Sequence, residues 1–379
     1  MPEVHDPMNV PALLSPLRLG ELELPNRIVV SPMCQYSAVD GCATDWHLVH
    51  LGQYAVSGAG LVIVEATHVE RRGRITHGCL GLYSDENEAA LVRVVDFFRR
   101  HGNARLGVQL AHSGRKGSAH RPWEERGDAL KAGHDPLPTV AASALAFDTG
   151  WPRPEALDAQ GMKTVCDAFV QATRRAARLG FELVELHAAH GYLLHCFLSP
   201  LSNQRGDAHG GSLDNRMRFP LEVFDAVRAE WPRERPLGVR ISATDWVDGG
   251  WTLDDSCAFA RELKARGCDF ITVSSGGMSL QQKIPLGEGY QLPLAAAVRE
   301  AADLPVMGVG MLFDPVHANR AIAEGQCDLA AIARGMLHDP HWPWRAAAEL
   351  GGEVAHPPQY IRGYLSSWLR GQRAGHGGA

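Results

Sequence analysis

The chain has 379 residues, 45% hydrophobic and 21% charged, with a formal net charge of −6. That balance is ordinary for a globular protein and carries no basic footprint for nucleic acid. It holds no run of about 18 apolar residues that could span a membrane as a helix. The opening stretch, MPEVHDPMNVPALL, lacks the basic start and apolar centre of a signal peptide. Eight cysteines (34, 42, 79, 166, 196, 257, 268 and 327) are scattered without a C-x-x-C pair, so we expect reduced thiols in a cytoplasmic chain.

In chain order, the segment LRLGELELPNR reads as a hairpin placed before the first strand. Eight short apolar, often β-branched runs follow. They are RIVVSPM (27–33), LVIVEAT (61–67), LGVQLAH (106–112), ELVELH (182–187), LGVRIS (237–242), FITVSS (270–275), VMGVG (306–310) and LAAIAR (329–334). Amphipathic helical patterns lie between them. In 167–180, Phe169, Val170, Thr173, Ala176 and Ala177 share one face, and Gly180 ends the helix directly before the next strand. The stretches 88–102 and 254–267 also end in glycine. Short turns before the strands and elaborated loops after them favour a closed (β/α)8 TIM barrel, with the hairpin capping its floor. A doubly wound sheet would typically place a Gly-rich turn after strand one, where this chain has SPMCQY. Residues 113–160, after strand three, are too long for a connector and read as a lid or substrate-side loop. We expect one domain over 1–379, with the tail from about 356 closing the active site.

In such barrels chemistry gathers where the strands end. Residues 185–195, ELHAAHGYLLH, place His187, His190 and His195 together. A catalytic zinc needs a third protein ligand and a water. Cys34 and Glu65 offer no second carboxylate cluster, so we expect no metal, and His195 as a packed helix histidine. At strands seven and eight, Gly308-Val309-Gly310 and Ala333-Arg334-Gly335 occupy the usual phosphate position of these barrels. Glycines let backbone N–H groups approach the oxygens, and a guanidinium adds forked charge. The alternative is that Arg334 pairs with Asp339. Gln109 offers a donor and an acceptor to a heterocycle edge, and Arg240 can stabilise an anion formed there. That combination suits a flavin; from polarity alone a phosphorylated sugar fits as well.

Five stretches then resemble one family: SPMCQYSAVDGCATDWH (31–47), GLVIVEATHV (60–69), GVQLAHSGRKG (107–117), ELHAAHGYLLHCFLSPLSNQRGDAHGGSLDNRMRF (185–219) and LAAIARGML (329–337). Together they are similar to the old yellow enzymes, in the bacterial thermophilic-like or xenobiotic-reductase subgroup, over residues 13–345. The resemblance implies an FMN-binding barrel that reduces the activated C=C bond of α,β-unsaturated carbonyl compounds, or nitro compounds, with NADPH or NADH as hydride donor. It implies that Ser31, Pro32, Met33, Cys34 and Ala66 line the flavin. Gln109 and Arg240 would bond its pyrimidine end, and Gly310, Ala333 and Arg334 its phosphate. His187 and His190 would bind the substrate carbonyl oxygen, Tyr192 would donate the proton, and Tyr36 would be a second phenol facing the substrate. Cys34, in place of the threonine of the yeast-type branch, would tune the flavin. His209 stands where relatives usually carry tyrosine. The partners implied are a small enone and further copies of the chain, as a homodimer or homotetramer. In the C-terminal segment, Trp368 and Arg370 align loosely with the subgroup's closing tail. A rival barrel isomerase or aldolase predicts a catalytic lysine at a strand end, which we do not find; a plain binding protein has no need of a mouth lined by His, Tyr, Cys and Arg.

Overall fold

The structure is a computed structural model that describes residues 10–363; Trp368 and Arg370 lie outside the described residues. The hairpin pairs β1 (Leu17–Leu19) with β2 (Leu22–Leu24), antiparallel, in the register Leu17↔Leu24. The barrel strands are β3 (Ile28–Val30), β4 (Leu61–His68) and β5 (Arg105–Ala111). After the short β6 (Val140–Ala141) and β7 (Glu155–Ala156) come β8 (Leu183–Ala188), β9 (Leu237–Ser242), β10 (Phe270–Ser274), β11 (Val306–Gly308) and β12 (Leu329–Ile332). They close a parallel barrel in the order β10-β11-β12-β3-β4-β5-β8-β9. All eight strands expected from the sequence are present, and the fold is the (β/α)8 barrel.

Several of those strands end earlier than the runs that mark them: β3 stops at Val30, and the last two matter most for the site. β12 stops at Ile332, whose carbonyl accepts from Ser31 N–H, so Arg334 opens a helix rather than closing a strand. β11 stops at Gly308, where its pairing with β12 ends, and Gly310 turns at φ +112°.

The helices are α1 (Asp45–Ala55), α2 (Asp85–His101), α3 (Ala159–Leu179), α4 (Leu193–Leu198) and α5 (Leu213–Glu230). They continue as α6 (Leu253–Ala265), α7 (Leu292–Ala302), α8 (Pro315–Ala323), α9 (Arg334–His338) and α10 (Trp342–Leu350). In α3 the Asp158 carboxylate caps the start, and Gly180 ends the helix in the left-handed region at φ +88°. Thr173, the one polar residue on its apolar face, is buried and donates to Phe169 O at 2.8 Å.

Strand alternation sorts side chains into two cores. Val62, Val64, Val184, Leu186, Val239 and Ile241 face the helices. Leu61, Ile63, Leu183, Phe270, Met307 and Leu329 fill the barrel together with Leu19 and Leu24 of the hairpin, which plugs the floor. At Gly238 a Cβ would lie 2.4 Å from the Phe270 ring, so this strand position needs glycine to admit the phenyl group. Above that apolar layer the same inward parity delivers Gln109, Glu185, Arg240 and Thr272; Gln109 is in register with Glu185, and Arg240 with Thr272 and His187. The next inward positions of β8, β9 and β10 are His187, Ser242 and Ser274. The excursion over 113–160 carries β6 and β7, a two-stranded parallel sheet, and Arg115 ties it down through Ala146 O at 3.2 Å and Met278 O at 3.0 Å.

Candidate active site

The inward residues of β5, β8, β9 and β10 form a buried polar layer. Glu185 accepts from Gln109 Nε2 at 2.7 Å and from Thr272 Oγ1. Burial pushes the Glu185 carboxyl up, and the Arg240 guanidinium opposes that push. Burial also lowers Arg240, whose Nε has no partner among the described residues. The period-2 position of Glu185, two residues before His187, was the available sign of its role; the sequence reading passed over it. The Gln109 amide expected to meet a heterocycle is therefore already oriented by a neighbouring carboxylate.

Above this layer the strand-four motif folds back on itself. The His187 and His190 rings sit 5.1 Å apart at 80°, and the Tyr192 ring lies 4.8 Å from His187 at 79°. His190 holds φ +58°, a left-handed conformation that costs a non-glycine residue about 1–3 kcal/mol. Three neighbours fix it there. Its N–H donates to Ser242 Oγ at 2.9 Å, its carbonyl accepts from Lys116 Nζ at 2.9 Å, and its Nε2 lies 2.8 Å from Ser274 Oγ. Lys116 also donates to Gly277 O at 2.9 Å, joining the loops after β5, β8 and β10. Ser274 stands at a strand end that the sequence marks; Ser242 and Lys116 were not picked out from the sequence, and although Ser242 shares the inward parity of His187, nothing local marks Lys116.

The tautomer of His187 follows from its contacts. Ala189 N–H donates to Nδ1 at 3.2 Å, which leaves the proton on Nε2. Burial, then the Arg240 charge, holds both His187 and His190 well below the usual imidazole value, so both rings are neutral near pH 7. Burial raises the Tyr192 and Tyr36 phenols far above theirs, so both stay protonated. His195 turns away: it accepts from Gly191 N–H at 2.9 Å and approaches Asp245 at 3.1 Å, both side chains buried. The three histidines thus have three different sets of partners, and among the described residues no three His, Cys, Asp or Glu side chains are placed to hold a metal.

The segment leaving β3 supplies Ser31, Pro32, Met33 and Cys34. Burial and the nearby Glu65 push the Cys34 thiol up. Glu65 accepts from Gln35 N–H at 3.0 Å and faces His47 at 3.4 Å. Tyr36, at φ +51°, packs with Cys34 and Tyr192 against Ile75, Cys79 and Ala119. Ala66 is buried where the β4–β5 register slips between Val64 and Thr67.

Beyond the ends of β11 and β12, next to both groups of residues, a cavity of about 180 Å³ is lined by Ser31, Arg240, Ser274, Gly310, Ala333 and Arg334 among others. At Gly310 a Cβ would stand 2.7 Å from Gln291 Nε2, so the backbone comes close to the cavity only without a side chain. Arg334 is exposed and makes no ion pair among the described residues; Asp339, its alternative partner, pairs instead with Arg345 at 3.2 Å. A larger cavity, about 930 Å³, opens at the barrel floor between the hairpin and the ends of α2 and α3. Its charges are largely paired, as in Arg105–Glu182 at 3.0 Å, and it lies away from the strand ends that carry chemistry. His209 sits at the surface, 3.4 Å from Glu222. The described start of the tail packs Tyr360 against His341 and Trp344.

Comparison with known proteins agrees with this geometry. The chain is 40% identical over 354 residues to an NADPH dehydrogenase of Geobacillus thermodenitrificans, covering 93% of this chain and 98% of the relative. It is 40% identical to an NADPH dehydrogenase of Bacillus subtilis, with 93% and 99% covered. The solved structure of morphinone reductase in complex with tetrahydroNAD superposes with a TM-score of 0.74 at 28% identity, over 94% of this chain and 97% of that one. Residues 12–353 match the NADH:flavin oxidoreductase / NADH oxidase family. The chain belongs to that family of FMN oxidoreductases, as its resemblance to the old yellow enzymes implied.

Proposed function

We propose that the protein is an NAD(P)H-dependent ene-reductase, reducing the activated C=C bond of α,β-unsaturated carbonyl compounds, and of nitro analogues. The observation that carries this reading is the edge-to-face cluster of His187, His190 and Tyr192, neutral and protonated, beside the glycine-walled cavity at Arg334. The residues fit FMN. The unpaired Arg334 and the bare Gly310 backbone suit its phosphate, and the buried, unsatisfied Arg240 Nε and the oriented Gln109 suit a polar ring edge. When bound, FMN supplies hydride chemistry fed by NADPH or NADH.

The chain's own residues do the rest. His187 offers Nε2–H to a carbonyl oxygen. Ser274 Oγ lies closer to His190 Nε2, at 2.8 Å, than to Gln291 Oε1, at 3.4 Å; with the Ser274 proton on the shorter contact, His190 carries its own proton on Nδ1. Two neutral N–H groups aimed at one oxygen stabilise the negative charge that grows there, and losing one such donor costs about 2.7–4 kcal/mol of barrier. Tyr192, kept protonated by burial, donates to the α-carbon. Arg240 places permanent positive charge beneath the site. Tyr36 and the lid would limit water, and the Cys34 thiol, which burial holds protonated, would be the residue placed to tune a bound flavin.

The same reading makes the chain a single domain over 1–379 that acts in the reducing cytosol, supported by eight free cysteines. Among the described residues no helix is long and apolar enough to cross a membrane. Trp46 and Val49, exposed one turn apart on α1, support assembly as a homodimer or homotetramer. The test is anaerobic stopped-flow on purified protein. A yellow preparation should be bleached by NADPH or NADH and re-oxidised by cyclohexenone. A colourless protein that does not take up FMN, or a reduced one indifferent to enones, refutes the proposal.

A further inference from the structure

Next to Tyr192, and sharing no lining residue with the cavity at Arg334, the lid borders a third cavity of about 260 Å³. Its walls include the aromatic rings of Tyr36, Phe147, Trp151 and Tyr192, with the His120 imidazole beside them. Phe147 meets Trp151 edge-on at 5.1 Å, and Trp123 braces Tyr36 from outside at 5.9 Å. Two cations line the same space, Lys116 and Arg126, and no aspartate or glutamate lines it. In a chain of net charge −6 this local excess of positive charge runs against the average.

Lys116 is the unusual one. Its ammonium lies 4.6 Å from the Phe147 ring centroid and 5.4 Å from that of Tyr192. Two of its three N–H donors serve the carbonyls of His190 and Gly277, and no carboxylate pairs with it among the described residues. Burial lowers its pKa to about 8, and the Arg115 charge adds to that lowering. A buried cation answered only by carbonyl dipoles and ring faces leaves an electrostatic demand that an anion satisfies. Arg126, exposed at φ +56° on the rim, likewise makes no ion pair among the described residues; its neighbour Glu124 is engaged by Arg121 at 3.1 Å.

We propose that this cavity is a substrate subsite for a flat ring carrying an anionic group, so that the preferred substrates are aryl enones with a carboxylate at the end remote from the carbonyl. Tyr192 lines the cavity and touches His187, so a carbonyl at the histidine pair sends the rest of the molecule between the aromatic walls towards Lys116 and Arg126. The inference rests on the ene-reductase reading and narrows its substrate class.

The test uses the FMN-loaded protein and pairs of ligands equal in shape and different in charge. 4-Hydroxybenzoate and 4-hydroxybenzamide are titrated against the flavin absorbance. Benzylideneacetones bearing a 4-carboxylate or a 4-carboxamide are compared by kcat/KM. The carboxylate member should be favoured by about tenfold in both readouts at low salt. Arg126→Gln and Lys116→Met should each bring the ratio towards one, while Lys116→Arg should restore it. Because ratios are read, a general loss of activity when Lys116 releases His190 does not mimic the result, and Arg126→Gln reports without touching that contact. A carboxylate bound no better than its amide, while neutral phenols bind and neutral enones are reduced, overturns the subsite alone. No phenol response and no enone turnover at all overturns the ene-reductase reading instead.

Discussion

On the β8–β10 side of the mouth, the candidate site is built of side chains, each fixed by a named neighbour: His187 by Ala189, His190 by Ser242, Ser274 and Lys116, Glu185 by Gln109 and Thr272. On the β11–β12 side it rests on bare backbone at Gly310 and on Arg334, which has no ion-pair partner among the described residues. The first half is fixed by its own neighbours, as the proposed clamp requires, because donors that must reorganise during reaction lose their advantage. The second half keeps its donors open, as an anchor for a charged group does. If the two halves divide the work in this way, substitutions in them should separate turnover from cofactor affinity.

The largest effect is expected from Tyr192→Phe. Enone reduction by the reduced protein should slow by about 10²–10⁴-fold, with NADPH oxidation nearly intact in stopped-flow. Equal losses in both half-reactions would remove Tyr192 from the proton-transfer role. Next comes His187→Ala, which should lower kcat/KM for enones by about 10²–10³-fold and weaken phenol binding in parallel. An unchanged phenol Kd would contradict the clamp. Arg334→Gln should raise the Kd for FMN by about 10–100-fold, the loss of one charge-assisted contact, and leave enone turnover unaffected at saturating FMN. If turnover falls as far as in His187→Ala, the two halves are not separate. The smallest effect is that of Ser274→Ala, which frees the His190 tautomer and should raise the Kd for phenols by about tenfold. In that variant ¹⁵N spectra should show His190 protonation shared between its two nitrogens, against one nitrogen in the parent. With both imidazoles held well below their usual pKa, the clamp stays neutral across pH 6–8. Its contribution to phenol binding should be flat over that range once ionisation of the phenol is allowed for.

Much of the site was legible because it lies at positions the fold itself marks. His187, Arg240 and Gln109 sit on inward parity near strand ends, and Gly310 and Ala333–Arg334 follow the last two strands. Less legible were the boundaries there: Arg334 reads as strand from its apolar neighbours, yet β12 ends at Ile332, where backbone bonding passes to Ser31. The supporting residues were missed for a different reason. Lys116 reaches His190 across 74 residues and Gly277 across 161, and Thr272 reaches Glu185 across 87. No local pattern reports such meetings.

The sequence by itself determined the eight strand–helix units, the hairpin under them and the polar residues at their upper ends. Period-2 alternation, helix caps and glycine stops act over a few residues and survive without tertiary context. Only the tertiary structure decided that ELHAAHGYLLH divides into a His187–His190 ring pair and a buried His195 beside Asp245, that His190 is held left-handed, and that Lys116 and Arg126 line one aromatic cavity without an acid. Those outcomes depend on loops from four strands being brought to one face. Closing the barrel does that, and no single segment encodes it.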